Sequence, residues 1–189
     1  MMLIPGYDLD KAAQVVAYFA LRQGGAINVL KLSKLVYLAE REAMRLYDEP
    51  MLYDHLCSMP DGPVASVTLN FINGENSDAR WSRYVGPRNG YNIPAASPGT
   101  DVNELDRISR ADMEILDFLW SRFGSWDRYK LRDWTHVPTN IPEWTDPQGS
   151  SNPIMHTDVF RFLNKPDPEG LGGDVEEVRE LSKVLNSIE

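Results

Sequence analysis

Apolar residues recur at helical spacing over most of this chain. Across residues 9–22, Val15, Tyr18, Phe19 and Arg22 follow a 3.6-residue stripe. Asp8 or Asp10 offers a capping acceptor at the start, and Gly24-Gly25 stops the helix. Residues 27–47 are greasier still, with thirteen of twenty-one positions apolar. A helix apolar over more than half its circumference is buried by neighbours on several sides, so this segment is expected at the centre of the fold. Its polar positions, Lys31, Lys34, Arg41 and Arg45 with Glu40 and Glu42, read as a solvated or ion-paired stripe; an alternative is that Lys34 reaches and fixes the loop around His136. Pro50 prevents the helix from continuing.

Beyond it the pattern shortens. Residues 51–60 read as extended, with Tyr53, His55 and Cys57 alternating with Leu52, Leu56 and Ser58. Gly62-Pro63-Val64 reads as the opening of a helix over 63–72, where proline is tolerated in the first turn. Trp81, Arg83 and Val85 alternate with Ser82 and Tyr84, a turn follows at 86–90, and Tyr91 to Ile93 can pair back; this predicts a small β-hairpin. Ser109 caps a helix ending at Phe123, whose Leu116, Leu119, Trp120 and Phe123 face a core. A short helix over 126–134, an irregular loop over 139–153 and a core helix over 156–163 complete the body. The two prolines and three glycines of 165–173 read as a hinge. Val175, Val178, Leu181, Leu185 and Ile188 then stripe a final amphipathic helix, with Asp174 and Glu177 in a capping-box pattern. The expectation is a mostly α protein: a compact helical bundle around the central helix 27–47, with a small β-hairpin. Residues 1–164 form the domain, 165–173 a hinge and 174–189 an acidic C-terminal helix.

Charge narrows the function. The 28 acidic and 19 basic residues give a net charge of −9, and residues 167–189 alone carry seven acids and two bases. Such a chain is a poor sequence-independent nucleic-acid binder, which must neutralise phosphates, and suits a protein that covers a basic partner. The single cysteine, Cys57, rules out an internal disulfide and fits a reducing, cytoplasmic setting. No signal peptide and no membrane span are expected.

Signatures of catalysis are sparse. The common phosphate-loop, dinucleotide, zinc-protease and serine-hydrolase motifs are missing. His55 and Cys57 share one face of an extended segment, but a metal site needs further ligands, and His136, His156 and Asp133 supply them only if the fold gathers them. No metal and no cofactor is expected. An anion at the start of the presumed helix after Gly62-Pro63 would meet the carboxylate of Asp61, so a capping role is preferred there. Trp144, in a proline-rich loop, either plugs a groove or meets a partner. Exposed aromatics make efficient interface anchors, so Tyr84, Tyr91, Trp134, His136 and Trp144 are the candidate partner-binding residues.

Three stretches carry a resemblance. The run Lys31 to Ala39, with Lys31, Lys34 and Tyr37 as its polar positions, resembles the K-L-x-K-L-x-Y helix of the Panacea antitoxin domain, a family of SocA-like antitoxins and phage-associated proteins. Gly62, Pro63 and Val64 match its G-P-V. Leu131, Thr135 and His136 followed by Trp144 match its L-x-x-x-T-H…W region. Order and spacing fit along residues 9–163. One departure is Asp61, where the family more usually places an aromatic or another polar residue. The resemblance implies a helical domain that neutralises a cognate protein toxin by direct contact, the toxin being encoded by an adjacent gene. An alternative it implies is an adaptor that delivers its partner to a protease. The resemblance implies no enzymatic activity, and the helix-turn-helix region of some relatives is missing, so direct DNA binding is not expected. From the residues themselves, a small hydrolase using His136 with Asp133 and Cys57 is the remaining alternative.

Overall fold

The structure, a computed structural model, describes residues 4–186. Helix α1 (Leu9–Arg22) starts where the Asp8 carboxylate accepts from the Lys11 N–H, and almost its whole surface is buried. Strand β1 (Ala26–Asn28) leads into α2 (Val29–Tyr47). The central helix thus begins two residues later than the apolar pattern suggests. The Asn28 side chain caps it by accepting from the Leu30 N–H, so Ala26 to Asn28 are free to pair in a sheet.

Strands β2 (Leu56–Met59) and β3 (Gly62–Ala65) form an antiparallel hairpin across a Pro60-Asp61 turn, followed by α3 (Ser66–Asn73) and α4 (Ala79–Tyr84). Strand β4 (Asn92–Pro94) pairs with β1, aligning Ile27 with Ile93. Helices α5 (Arg110–Phe123) and α6 (Arg128–Thr135) follow; α5 carries a full capping box between Ser109 and Asp112. Strand β5 (Asn152–Ile154) joins β2, giving the order β3-β2-β5. Helices α7 (His156–Phe162) and α8 (Pro168–Asn186) close the chain. The expected architecture holds: helices dominate, two small antiparallel sheets accompany them, and α2 sits in the middle against α1, α5, α6, α7 and β3.

Several local expectations need correction. Gly62-Pro63-Val64 is a strand, not the start of a helix. Strand β3 lies at the edge of its sheet, where a proline without an N–H breaks no ladder. The helix after it is capped from outside: buried Asp54 accepts from the N–H groups of Val67 and Thr68 and from the Thr68 hydroxyl. The hairpin expected over 81–93 is also absent. Asp78 caps a helical turn instead, and Trp81 buries its ring in a stack on Phe71 at 5.0 Å. Only single bridges, Val85 with Ala95 and Asn89 with Asn92, remain of the expected pairing. Five alternating residues are too few to separate a strand period from a short helix, and tertiary burial decides.

The glycine-rich segment before the last helix is helical as well. Helix α8 begins at Pro168, so Asp174 and Glu177 lie in its interior and not at its cap. A Cβ on Gly172 would fall 2.0 Å from the Thr157 hydroxyl oxygen, so this position serves close helix contact between α7 and α8. Val175 and Arg179 are buried under α8, while Leu181 and Leu185 of the expected stripe face solvent; Ile188 lies outside the described residues.

Candidate functional site

The polar residues of α2 divide: Arg41 and Arg45 are ion-paired, to Glu143 and Glu42, but the others do not form a solvated stripe. Lys31, Lys34 and Glu40 are all buried, and each holds a different part of the chain. The Lys31 ammonium donates to Gln23 Oε1 at 2.7 Å and to the carbonyl of Gly124 at 2.6 Å, tying the ends of α1 and α5. Lys34 donates to the carbonyl of Pro63 at 3.0 Å, tying β3. It therefore anchors the strand and not the His136 loop directly. Tyr37 donates its hydroxyl to Glu143 Oε1 at 2.6 Å, and Arg41 Nε reaches the same oxygen at 2.6 Å. Glu40 accepts from the N–H groups of Leu52 and Asp54 at 2.9 and 3.0 Å. Lys31, Lys34, Tyr37 and Arg41 are spaced three and four apart, so they line one side of the helix. A spine of this kind explains the physical need for a polar residue at each position.

Gly62 lets the hairpin sit against this spine. Its φ is +100°, and a Cβ there would meet Thr135 Oγ1 at 2.9 Å and both His136 Cε1 and Lys34 Cε at 3.2 Å. The hairpin turn is then clasped from the far side. His136 sets Nε2 3.1 Å from the carbonyl of Pro60 and Nδ1 2.7 Å from that of Arg132. Trp144 donates Nε1 to the carbonyl of Met59 at 3.1 Å, and its ring meets His136 edge-on at 4.3 Å. Trp144 is thus a plug against the hairpin.

The other candidates divide. Tyr91 is 76 % exposed and available to a partner. Tyr84 is half-buried, as is Trp134, whose ring packs on Phe123 at 5.0 Å. The residues of a hydrolytic centre are not brought together. Both ring nitrogens of His136 face backbone carbonyls, Asp133 is held by Arg132, and the Cys57 thiol, raised in pKa chiefly by burial, interacts with Ser66. His156 is buried beside Arg179, and desolvation pushes it down to about 3. Among the described residues no group of three or more His, Cys, Asp or Glu is placed to hold a metal.

A concavity lies where the first turn of α2, the β2–β3 turn, the segment before β4 and α6 converge. It encloses about 560 Å³, within the range of roughly 300–1,000 Å³ usual for small-molecule sites. Lys34, Arg88, Arg128 and Arg132 line it with Tyr91 and Tyr129; Asp61 is its one carboxylate. Burial pushes the Lys34 ammonium down to about 7; Asp61 raises it and Arg132 lowers it further. Of these residues only Lys34, Asp61 and Tyr91 stand out in the sequence. Arg128 and Arg132 stand four residues apart, one turn along α6, whereas Arg88 comes from the segment before β4, so sequence spacing links only two of the three arginines.

A family model described as "Antitoxin SocA-like, Panacea domain" matches residues 32–144. The matched stretch runs from α2 to Trp144 and so contains the spine from Lys34 onward, the hairpin and its clasp; Lys31 stands one residue before it. No curated protein and no solved structure matches the chain. Among the described residues no helix is long and apolar enough to cross a membrane.

Proposed function

Since the chain belongs to the family of SocA-like antitoxins with a Panacea domain, we propose that it is the antitoxin of a toxin–antitoxin pair and neutralises a cognate protein toxin by direct binding. The observation that carries this reading is the family match over residues 32–144, which hold the hairpin, its clasp and the spine from Lys34 onward. The charge distribution supports it. The net charge of −9 suits capture of a basic partner, because opposite potentials speed encounter. Helix α8 presents Glu169, Asp174, Glu176, Glu177 and Glu180 to solvent; Glu169, Glu176 and Glu180 each pair with one cation, and Asp174 and Glu177 make no ion pair among the described residues. We assign the toxin contact to this face together with Tyr91. Substitutions of Tyr84, Trp134, His136 and Trp144 then weaken binding through the fold that they hold.

Co-expression with the protein encoded by the adjacent gene tests the reading. Expected is growth arrest by the neighbour alone and rescue by this chain, with rescue weakened by the paired charge reversals Glu176→Lys and Glu177→Lys. A harmless neighbour, or a toxic one that is not rescued, overturns the proposal. Rescue that depends on a protease, with a shortened toxin lifetime, replaces blocking by delivery.

A further inference from the structure

The acidic chain gathers four cations around one pocket whose lining holds a single carboxylate, Asp61. Among the described residues Lys34, Arg88 and Arg128 make no ion pair. Arg88 is held by neutral acceptors, Asn73 Oδ1 at 2.6 Å and the carbonyl of Gly90 at 2.8 Å. Arg128 donates to the Tyr129 hydroxyl at 3.3 Å, and its guanidinium lies 4.6 Å from the centre of the Tyr129 ring. Arg132 packs on the same ring at 5.2 Å. It does have a carboxylate in Asp133, but the pocket's own acid, Asp61, is 4.0 Å away and 71 % exposed. Lys34 uses one of its three N–H donors on the carbonyl of Pro63.

Gathered like charges repel unless something negative sits among them. The N-terminus of α2 adds to the same field. It opens into this pocket, with Val29, Leu30 and Ser33 in the lining, and no acidic residue stands in its first turn. The guanidiniums are also held in place before any ligand arrives, by Tyr129 and Asn73, which lowers the entropic cost of binding. Tyr91 and Tyr129, 76 % and 50 % exposed, supply ring surface at the rim.

We propose that this pocket binds a phosphate-bearing small molecule of nucleotide size, with its phosphates among Arg88, Arg128 and Arg132, above the buried charge of Lys34, and its planar group on Tyr91. Arginine and lysine together suit phosphate, the first by forked hydrogen bonds and the second as a point charge. A volume of about 560 Å³ holds more than an inorganic ion. The site does not rest on the antitoxin reading: of the residues that reading assigns to the toxin contact, the pocket lining shares only Tyr91, and it is assayed without a toxin.

The test is isothermal titration calorimetry of the full chain with ATP, ADP, AMP, GTP and inorganic pyrophosphate, at about 150 mM salt so that loose surface attraction is screened. Expected is saturable nucleotide binding with Kd below about 100 μM. Arg128→Glu, an exposed position, should weaken it at least about tenfold, and Arg122→Glu, a cation outside the pocket, should leave it unchanged. Tyr91→Ala should weaken the nucleotides and spare pyrophosphate. No heat from any probe up to about 1 mM overturns the proposal, as does binding that survives Arg128→Glu in a variant with unchanged circular dichroism. Pyrophosphate binding as tightly as the nucleotides, with Tyr91→Ala silent, overturns the planar-group half. The α8 charge reversals should leave every one of these titrations unchanged, so failure here and failure of the toxin reading are separable.

Discussion

Lys34→Met probes how the central helix tolerates a buried ammonium. Lys34 is fully buried, and desolvation lowers it from 10.5 in the unfolded chain to about 7 in the fold. Between those values the unfolded chain binds one proton more than the folded chain, so stability rises with pH across the window. From pH 7 to pH 9 the gain from this group alone is about 2 kcal/mol. Glu40 acts with the opposite sign in a lower window. Burial raises its carboxyl from 4.5 to about 7, so the folded chain holds the extra proton there, and stability falls as pH climbs to 7. That loss is nearly complete at pH 7. In the higher window Lys31, also lowered by burial, adds to the rise and Cys57, raised by burial, opposes it, in wild type and variant alike. The assay is urea denaturation of wild type and Lys34→Met at pH 7, 8 and 9, in a buffer free of phosphate. The wild type should gain about 2 kcal/mol more than the methionine variant over this range. Parallel pH profiles for the two proteins, or a wild-type stability that falls from pH 7 to pH 9, would refute the reasoning.

Three further outcomes follow from the same contacts. Glu143→Ala leaves the Tyr37 hydroxyl and the Arg41 guanidinium without their shared acceptor, and should cost about 3–5 kcal/mol in chemical denaturation. Gly62→Ala places a Cβ against Thr135, His136 and Lys34 at a φ of +100°, and a loss of about 2–4 kcal/mol is expected, seen as a lowered melting temperature. Gly172→Val forces α8 off Thr157; about 1–3 kcal/mol should be lost, and amide exchange should quicken in α8 before it does in α2.

The long helices were legible because their signals are local. Asp8, Ser109 and the 3.6-residue apolar period are all read within one or two turns, and α1 and α5 appear where those signals put them. Short segments were not legible in the same way. Residues 81–85 satisfy a strand pattern, yet Trp81 finds Phe71 and winds into a helix. Asn28 did carry a capping signal that places the start of α2 correctly, but the apolar run across it was the stronger pattern. At Gly62-Pro63 the proline rule was sound and its context was not, because an edge strand excuses the missing N–H as well as a first helical turn does.

The candidate site was legible only in part. Lys31, Lys34, Tyr37, Gly62, Pro63 and Val64 stood out, but their roles depend on what each meets across the fold. Lys34 and Pro63 are 29 residues apart, and Tyr37 and Glu143 are 106 apart. The amino-acid order alone determined a helical protein built around one greasy helix, its acidity and its kinship. Only the tertiary structure decided that Lys31, Lys34 and Glu40 of that helix are buried braces, that Trp144 and His136 clasp a hairpin, and that Arg88 shares one pocket with Arg128 and Arg132 of α6. Helical period and capping act between neighbours in the chain. Burial, ion pairing and pocket formation act between residues that become neighbours only when the chain has folded.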